Sequence, residues 1–189
     1  MDLGIKGKVA LVAASSRGLG RAVAEELAAE GASLILCARN QRTITETGEA
    51  ISRATGATML AVEADVSVRS DITKLIDLGL QRFGRIDILV TNGGGPPAGR
   101  FEQLTPEQWE RSTRLTLFSA IELARHVLPG MKERRWGRIL NITSIAVKQP
   151  VDNLILSNSL RAGVPGGVWD DRRQTIADKL LNTVVLDVR

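Results

Sequence analysis

The sequence predicts an α/β fold, a doubly wound parallel sheet with helices on both faces. Three observations predict it. Short apolar runs of strand length recur along the chain, amphipathic stretches of helical spacing separate them, and breaks rich in Gly, Asn or Asp follow the strand ends. Strands alternating with helices at this spacing require right-handed crossovers, which give a parallel sheet covered on both sides.

Val9, Leu11 and Val12 form the first apolar run, and the Ser/Gly segment behind it breaks directly into an amphipathic pattern with Ala22, Val23 and Leu27. This predicts a strand, a tight loop and a helix over 19–30, ended by Gly31. Residues 33–38 read as a second buried strand, 41–54 as a helix, and 58–64 as a third strand ending at Asp65. Val68, Ile72, Leu75, Ile76 and Leu80 mark a helix over 67–82, and 86–90 is a fourth strand that runs into Thr91-Asn92-Gly93-Gly94-Gly95-Pro96-Pro97, where no regular structure can continue. Thr105-Pro106-Glu107-Gln108 is a capping box with proline at the first helical position. It opens a long helix to about Arg134, whose last turns Pro129 should disturb. Residues 138–143 make a fifth strand, and a further helix is expected after Asn153.

The loop between the first strand and its helix suits a phosphate. Free N–H groups and the positive end of the helix dipole face it. Gly18 and Gly20, lacking Cβ, let the backbone come close. A Gly-x-Gly after a strand also occurs in ordinary tight turns, so the loop alone does not decide the matter. In doubly wound sheets ligands sit at the C-terminal ends of the strands. The loops after Ala13, Ala38, Ala64, Val90 and Thr143 should therefore line one crevice.

The 189 residues fit one domain with a substantial core. The 25 Lys and Arg against 21 Asp and Glu leave a mildly basic surface of charge +4, which favours anionic ligands. The basic residues are scattered apart from 132–138, a cluster that closes a helix where cations belong, so nucleic-acid binding is not expected. Cys37 is single, which excludes a disulfide framework and suits a reducing compartment. No apolar run reaches the length of a membrane span or a signal-peptide core, so the expected location is cytoplasmic. The one histidine, His126, has no ligand types beside it, and no metal site is expected.

Several loops together resemble one family, the short-chain dehydrogenase/reductases, and most closely its 3-oxoacyl-acyl-carrier-protein reductases. The likeness covers about residues 5–163. Ala13-Ala14-Ser15-Ser16-Arg17-Gly18-Leu19-Gly20 is similar to the family's Thr-Gly-x3-Gly-x-Gly loop. Asp65-Val66 resembles the adenine contact after the third strand, and Asn92-Gly93-Gly94 resembles the Asn-Ala-Gly after the fourth. The resemblance implies a Rossmann-type sheet that binds NADP(H) through Ser15, Ser16, Arg17, Gly18, Leu19, Gly20, Arg39, Asp65, Val66, Asn92 and Gly93. NADP is expected over NAD because Arg17 and Arg39 stand where a 2′-phosphate needs cations and where a carboxylate would accept a ribose hydroxyl instead. Ala14 occupies the family's first glycine and costs about 1 kcal/mol if the position needs a positive φ.

The resemblance also implies a catalytic Ser, Tyr and Lys with an Asn in the long helix. Ser144 matches the serine. The tyrosine position falls on Ser157, the lysine position on Arg161 and the asparagine position on Thr116; the chain contains no tyrosine. An aliphatic hydroxyl is a far weaker acid than a phenol, and arginine does not shuttle protons, so Ser144, Ser157 and Arg161 form a variant catalytic set in which water or a substrate group must supply the proton. The implied substrate is a small carbonyl or hydroxy compound, an acyl thioester among them. The alternative is a module that holds the nucleotide, or only associates with other subunits, and turns nothing over.

Residues 1–163 are therefore expected to form the nucleotide-binding domain, and 164–189 an atypical tail without family likeness. Pro165 to Gly167 should break the last family-like helix, 174–182 read as a short helix and 184–188 as a strand. One expectation is a shift of reading frame near Val164. Such a tail would lack the family's substrate cover and expose apolar helix surface, which predicts a homo-oligomer.

Overall fold

The computed structural model describes residues 3–168 and 183–188. Its strands are β1 (Val9–Val12), β2 (Ser33–Ala38), β3 (Met59–Glu63), β4 (Ile88–Thr91), β5 (Gly137–Ile142) and β6 (Thr183–Val188). They form one sheet in the order β3-β2-β1-β4-β5-β6. The first five are parallel, as expected. β6 is a strand as predicted, but it runs antiparallel to β5, with Gly137 opposite Val188 and Ile142 opposite Thr183. The helix expected over 174–182 lies outside the described residues.

Helices α1 (Gly18–Ala29) and α2 (Gln41–Thr55) cover one face of the sheet, and α3 (Arg69–Phe83) covers the other. The alternation within the strands sorts the side chains. Ala10, Val12, Leu34, Leu36, Ile88 and Val90 pack with Ala24, Leu27, Ile44 and Ile51, whereas Leu11, Ala13, Ile35, Cys37 and Leu89 pack with Ile72, Leu75 and Ile76. Strands buried on both faces read as continuous apolar runs for this reason.

The long helix is real but not uniform. It consists of α4 (Pro106–Thr113), a π-helical turn over Arg114–Phe118 and α5 (Ser119–Glu133). Thr105 caps it by accepting from the Gln108 N–H, and the Gln108 side chain accepts from the Thr105 N–H in return. The helix runs to Glu133, close to the expected end, and stays α-helical through Pro129. Leu123, Val127 and Met131 are buried along one stripe across the proline, and that packing holds the turns despite the missing N–H. A correction applies to α6 (Ile155–Val168), which runs through Pro165 where a break was predicted. Leu156, Leu160 and Val164 anchor it at i, i+4 and i+8.

At the N-terminal ends of the strands, buried Asp87 joins three of them. Its carboxylate accepts from the Val9 N–H at 3.0 Å and from Arg85 Nε at 2.7 Å, and Arg134 of the segment before β5 stands 3.5 Å away. This clamp fixes the relative heights of β1 and β4, and hence of the loops at their opposite ends.

Candidate functional site

The loops at the C-terminal strand ends enclose an open cleft of about 1020 Å³. Of the residues predicted from the sequence, Ser16, Arg17, Gly18, Leu19, Arg39, Asp65, Val66, Asn92 and Gly93 line it. Ser15 and Gly20 do not. Both are buried under the loop, Ser15 with its N–H on the Cys37 carbonyl at 3.0 Å and its hydroxyl without a partner.

The loop's shape follows from three small residues. Ala14 has φ 48°, so the position does need the left-handed region and an alanine there is strained by about 1 kcal/mol. Gly18 has φ 59° with open space where a Cβ would go; conformation alone requires glycine there. Gly20 is the reverse case. A Cβ there would stand 2.6 Å from the Ala14 carbonyl oxygen and 2.7 Å from Asn92 Nδ2. The Asn92 amide donates to the carbonyls of Ala13 (3.3 Å) and Ala14 (3.2 Å), tying the end of β4 to the glycine loop. The exposed N-terminus of α1 then faces the cleft with no side-chain cap of its own.

Arg17 and Arg39 are exposed on the rim and pair with no carboxylate among the described residues. Asp65 accepts from the N–H and hydroxyl of Ser67 through Oδ1, which fixes the turn after β3, and its own N–H donates to Asp71. Sequence reasoning missed a wall of this cleft. Gln108, Arg111, Ser112 and Leu115 face it from α4 and the turn behind it, at i, i+3, i+4 and i+7. That helical spacing was the available signal.

The predicted catalytic residues are arranged differently. Arg161 lines a small cavity of about 20 Å³ with Thr116 and Thr143, room for about one water, which adjoins the cleft through Asn92, Gly93, Gly94 and Leu115. Its guanidinium donates to the carbonyls of Thr143 (3.0 Å) and Ile142 (3.4 Å), and burial pushes its pKa down. Thr116, in the π-helical turn, has a buried hydroxyl with no protein partner. Ser144 and Ser157 line neither cavity. Ser144 accepts from the Ala146 N–H at 3.2 Å and caps a 3₁₀ turn (Ile145–Val147), while Ser157 is buried on α6. Cys37 lies beneath the cleft, where burial pushes its thiol up to about 11, far from the thiolate a nucleophile needs. Among the described residues no cluster of three His, Cys, Asp or Glu could hold a metal, and no helix is long and apolar enough to cross a membrane.

Comparison with known proteins places the chain in a family. The sequence model of the short chain dehydrogenase family matches residues 8–165. The chain belongs to that family. An uncharacterized oxidoreductase of Bacillus subtilis, YvrD, is 36% identical over 155 residues, which are 82% of this chain and 58% of the relative. Ketoacyl reductase HetN of Nostoc is 32% identical over 183 residues, 96% of this chain and 63% of the relative. Among solved structures, L-sorbose reductase from Gluconobacter frateurii, complexed with NADPH and L-sorbose, matches 87% of this chain and 62% of its own, with 34% identity and a TM-score of 0.84. The chain thus spans about three fifths of the length of these relatives.

Proposed function

We propose that this chain binds NADP(H) and serves an oxidoreductase that reduces small carbonyl compounds, 3-oxoacyl thioesters among them. One observation carries the reading: Arg17, Gly18, Arg39, Asp65 and Asn92, drawn from the ends of four strands, line a single cleft. The residues fit the nucleotide. Gly20 leaves room for the Asn92 amide that shapes the loop, and the α1 N-terminus offers free N–H groups to a pyrophosphate. Ser15, Ser16 and Leu19 complete that loop. Arg17 and Arg39 would hold the 2′-phosphate, Asp65 and Val66 the adenine, and Asn92 and Gly93 the far end of the dinucleotide. When bound, NADPH supplies a hydride. Ser144 would orient the substrate oxygen, with Ser157 and Arg161 in the tyrosine and lysine positions and the proton drawn from water or the substrate. The binding domain in this reading is 1–163, with 164–189 as a tail, in a cytoplasmic homo-oligomer. An NADPH-bound relative and a ketoacyl reductase among the similar proteins support the cofactor and the substrate class.

A second reading has its own observation. The Arg161 guanidinium is occupied by the Ile142 and Thr143 carbonyls, and no tyrosine exists to be activated. A nucleotide-holding module without turnover accounts for both. Titration with NADPH and NADH, followed by NADPH oxidation across a carbonyl panel that includes a 3-oxoacyl thioester, separates the readings. Preference for NADPH with turnover supports the reductase, and tight binding without turnover supports the module. Tighter binding of NADH than NADPH would sink the cofactor assignment.

A further inference from the structure

Arg111 is the only charged side chain on its wall of the cleft among the described residues; Gln108, Ser112, Leu115 and the Gly93–Pro97 loop supply the rest. It is exposed, and its guanidinium pairs with no carboxylate among the described residues. Glu107, four residues earlier and in reach of a helical ion pair, is turned to Thr105 instead, and that hydrogen bond holds its carboxyl below the usual range.

Packing places the helix that carries Arg111 against the cleft. Leu115, one turn further along, sits against the same core cluster as Ala64 and Val66, the residues flanking Asp65 after β3. A Cβ on Gly93 would meet the Leu115 carbonyl oxygen at 3.2 Å, so this helix lies directly over the cleft floor. Arg111 thus lines the same cleft as Asp65, Val66 and Arg39.

We propose that Arg111 is a binding residue for the adenine, its planar guanidinium lying on a face of the purine. The proposal rests on the nucleotide reading above, which puts the adenine on that loop. A planar cation is attracted to an aromatic face, and guanidinium does this better than ammonium because it is flat and weakly hydrated. The contact therefore reads the π-face of the base, independently of the 2′-phosphate that Arg17 and Arg39 would read.

The test titrates the parent protein, Arg111→Ala and Arg111→Lys with NADPH, NADH and 5′-AMP, with thermal melting as a check on folding. Arg111→Ala should weaken all three by a similar factor, about fivefold, and Arg111→Lys should restore only part of the loss. Unchanged affinities in Arg111→Ala would overturn the proposal. So would a loss confined to NADPH, which would move the guanidinium to the 2′-phosphate, a loss on both dinucleotides that spares AMP, or full restoration by lysine, which would make charge the cause instead of the plane. A parent protein that binds none of the three would instead bring down the nucleotide reading itself.

Discussion

The cleft at the ends of β1 to β4 and the corner between β5 and α6 use the same sheet end, yet they are built to different standards. In the cleft, residues from four loops converge and the positions that must be glycine are glycine, except Ala14. In the corner, polar groups bond to their own neighbourhood: Ser144 to Ala146, Arg161 to the main chain of β5. Shape and backbone donors carry nucleotide binding and survive the exchange of side chains. Proton transfer depends on one side chain of the right acidity, and that chemistry is lost with a single residue.

The sharpest way to break this contrast is Gly20→Ala. Its methyl must displace the Ala14 carbonyl or the Asn92 amide, which should cost about 3 kcal/mol in denaturant unfolding and abolish nucleotide binding in titration. Asn92→Ala removes both hydrogen bonds that its amide donates to the glycine-loop carbonyls; about 2 kcal/mol of stability and a clear loss of nucleotide affinity are expected. Ala14→Gly works in the opposite direction. Relief at φ 48° should raise stability by about 1 kcal/mol, visible as a higher melting temperature. Ser144→Ala loses a cap worth about 0.5 kcal/mol and should leave NADPH affinity unchanged, because the serine lines neither cavity. An affinity drop in Ser144→Ala as large as that in Asn92→Ala would erase the distinction between the two regions.

The sheet, its crossovers and the loops that meet in the cleft were legible in the sequence because each leaves a local mark: an apolar run, a glycine pair, a capping box. Even the strain at Ala14 could be read from the residue that replaced a glycine. Pro165 misled. It argues for a helix end on local grounds, but burial of Val164 comes from tertiary packing that no local rule contains, as burial of Met131 does beyond Pro129. The π-helical turn at Thr116 and the bonds that capture Arg161 were hidden for the same reason, since both depend on what lies across the fold. Arg111 was legible in principle, six residues after the Thr105 cap and four before a half-buried leucine, once the helix was known to overhang the sheet.

The Asn92 clamp has a thermodynamic consequence. A loop already pinned to its neighbouring strand has little freedom left to surrender, so a nucleotide arriving there need not order it. Entropy that a looser loop would lose at the moment of binding has been lost during folding instead. Association with such a preorganised cradle should be fast and should leave the backbone where it was.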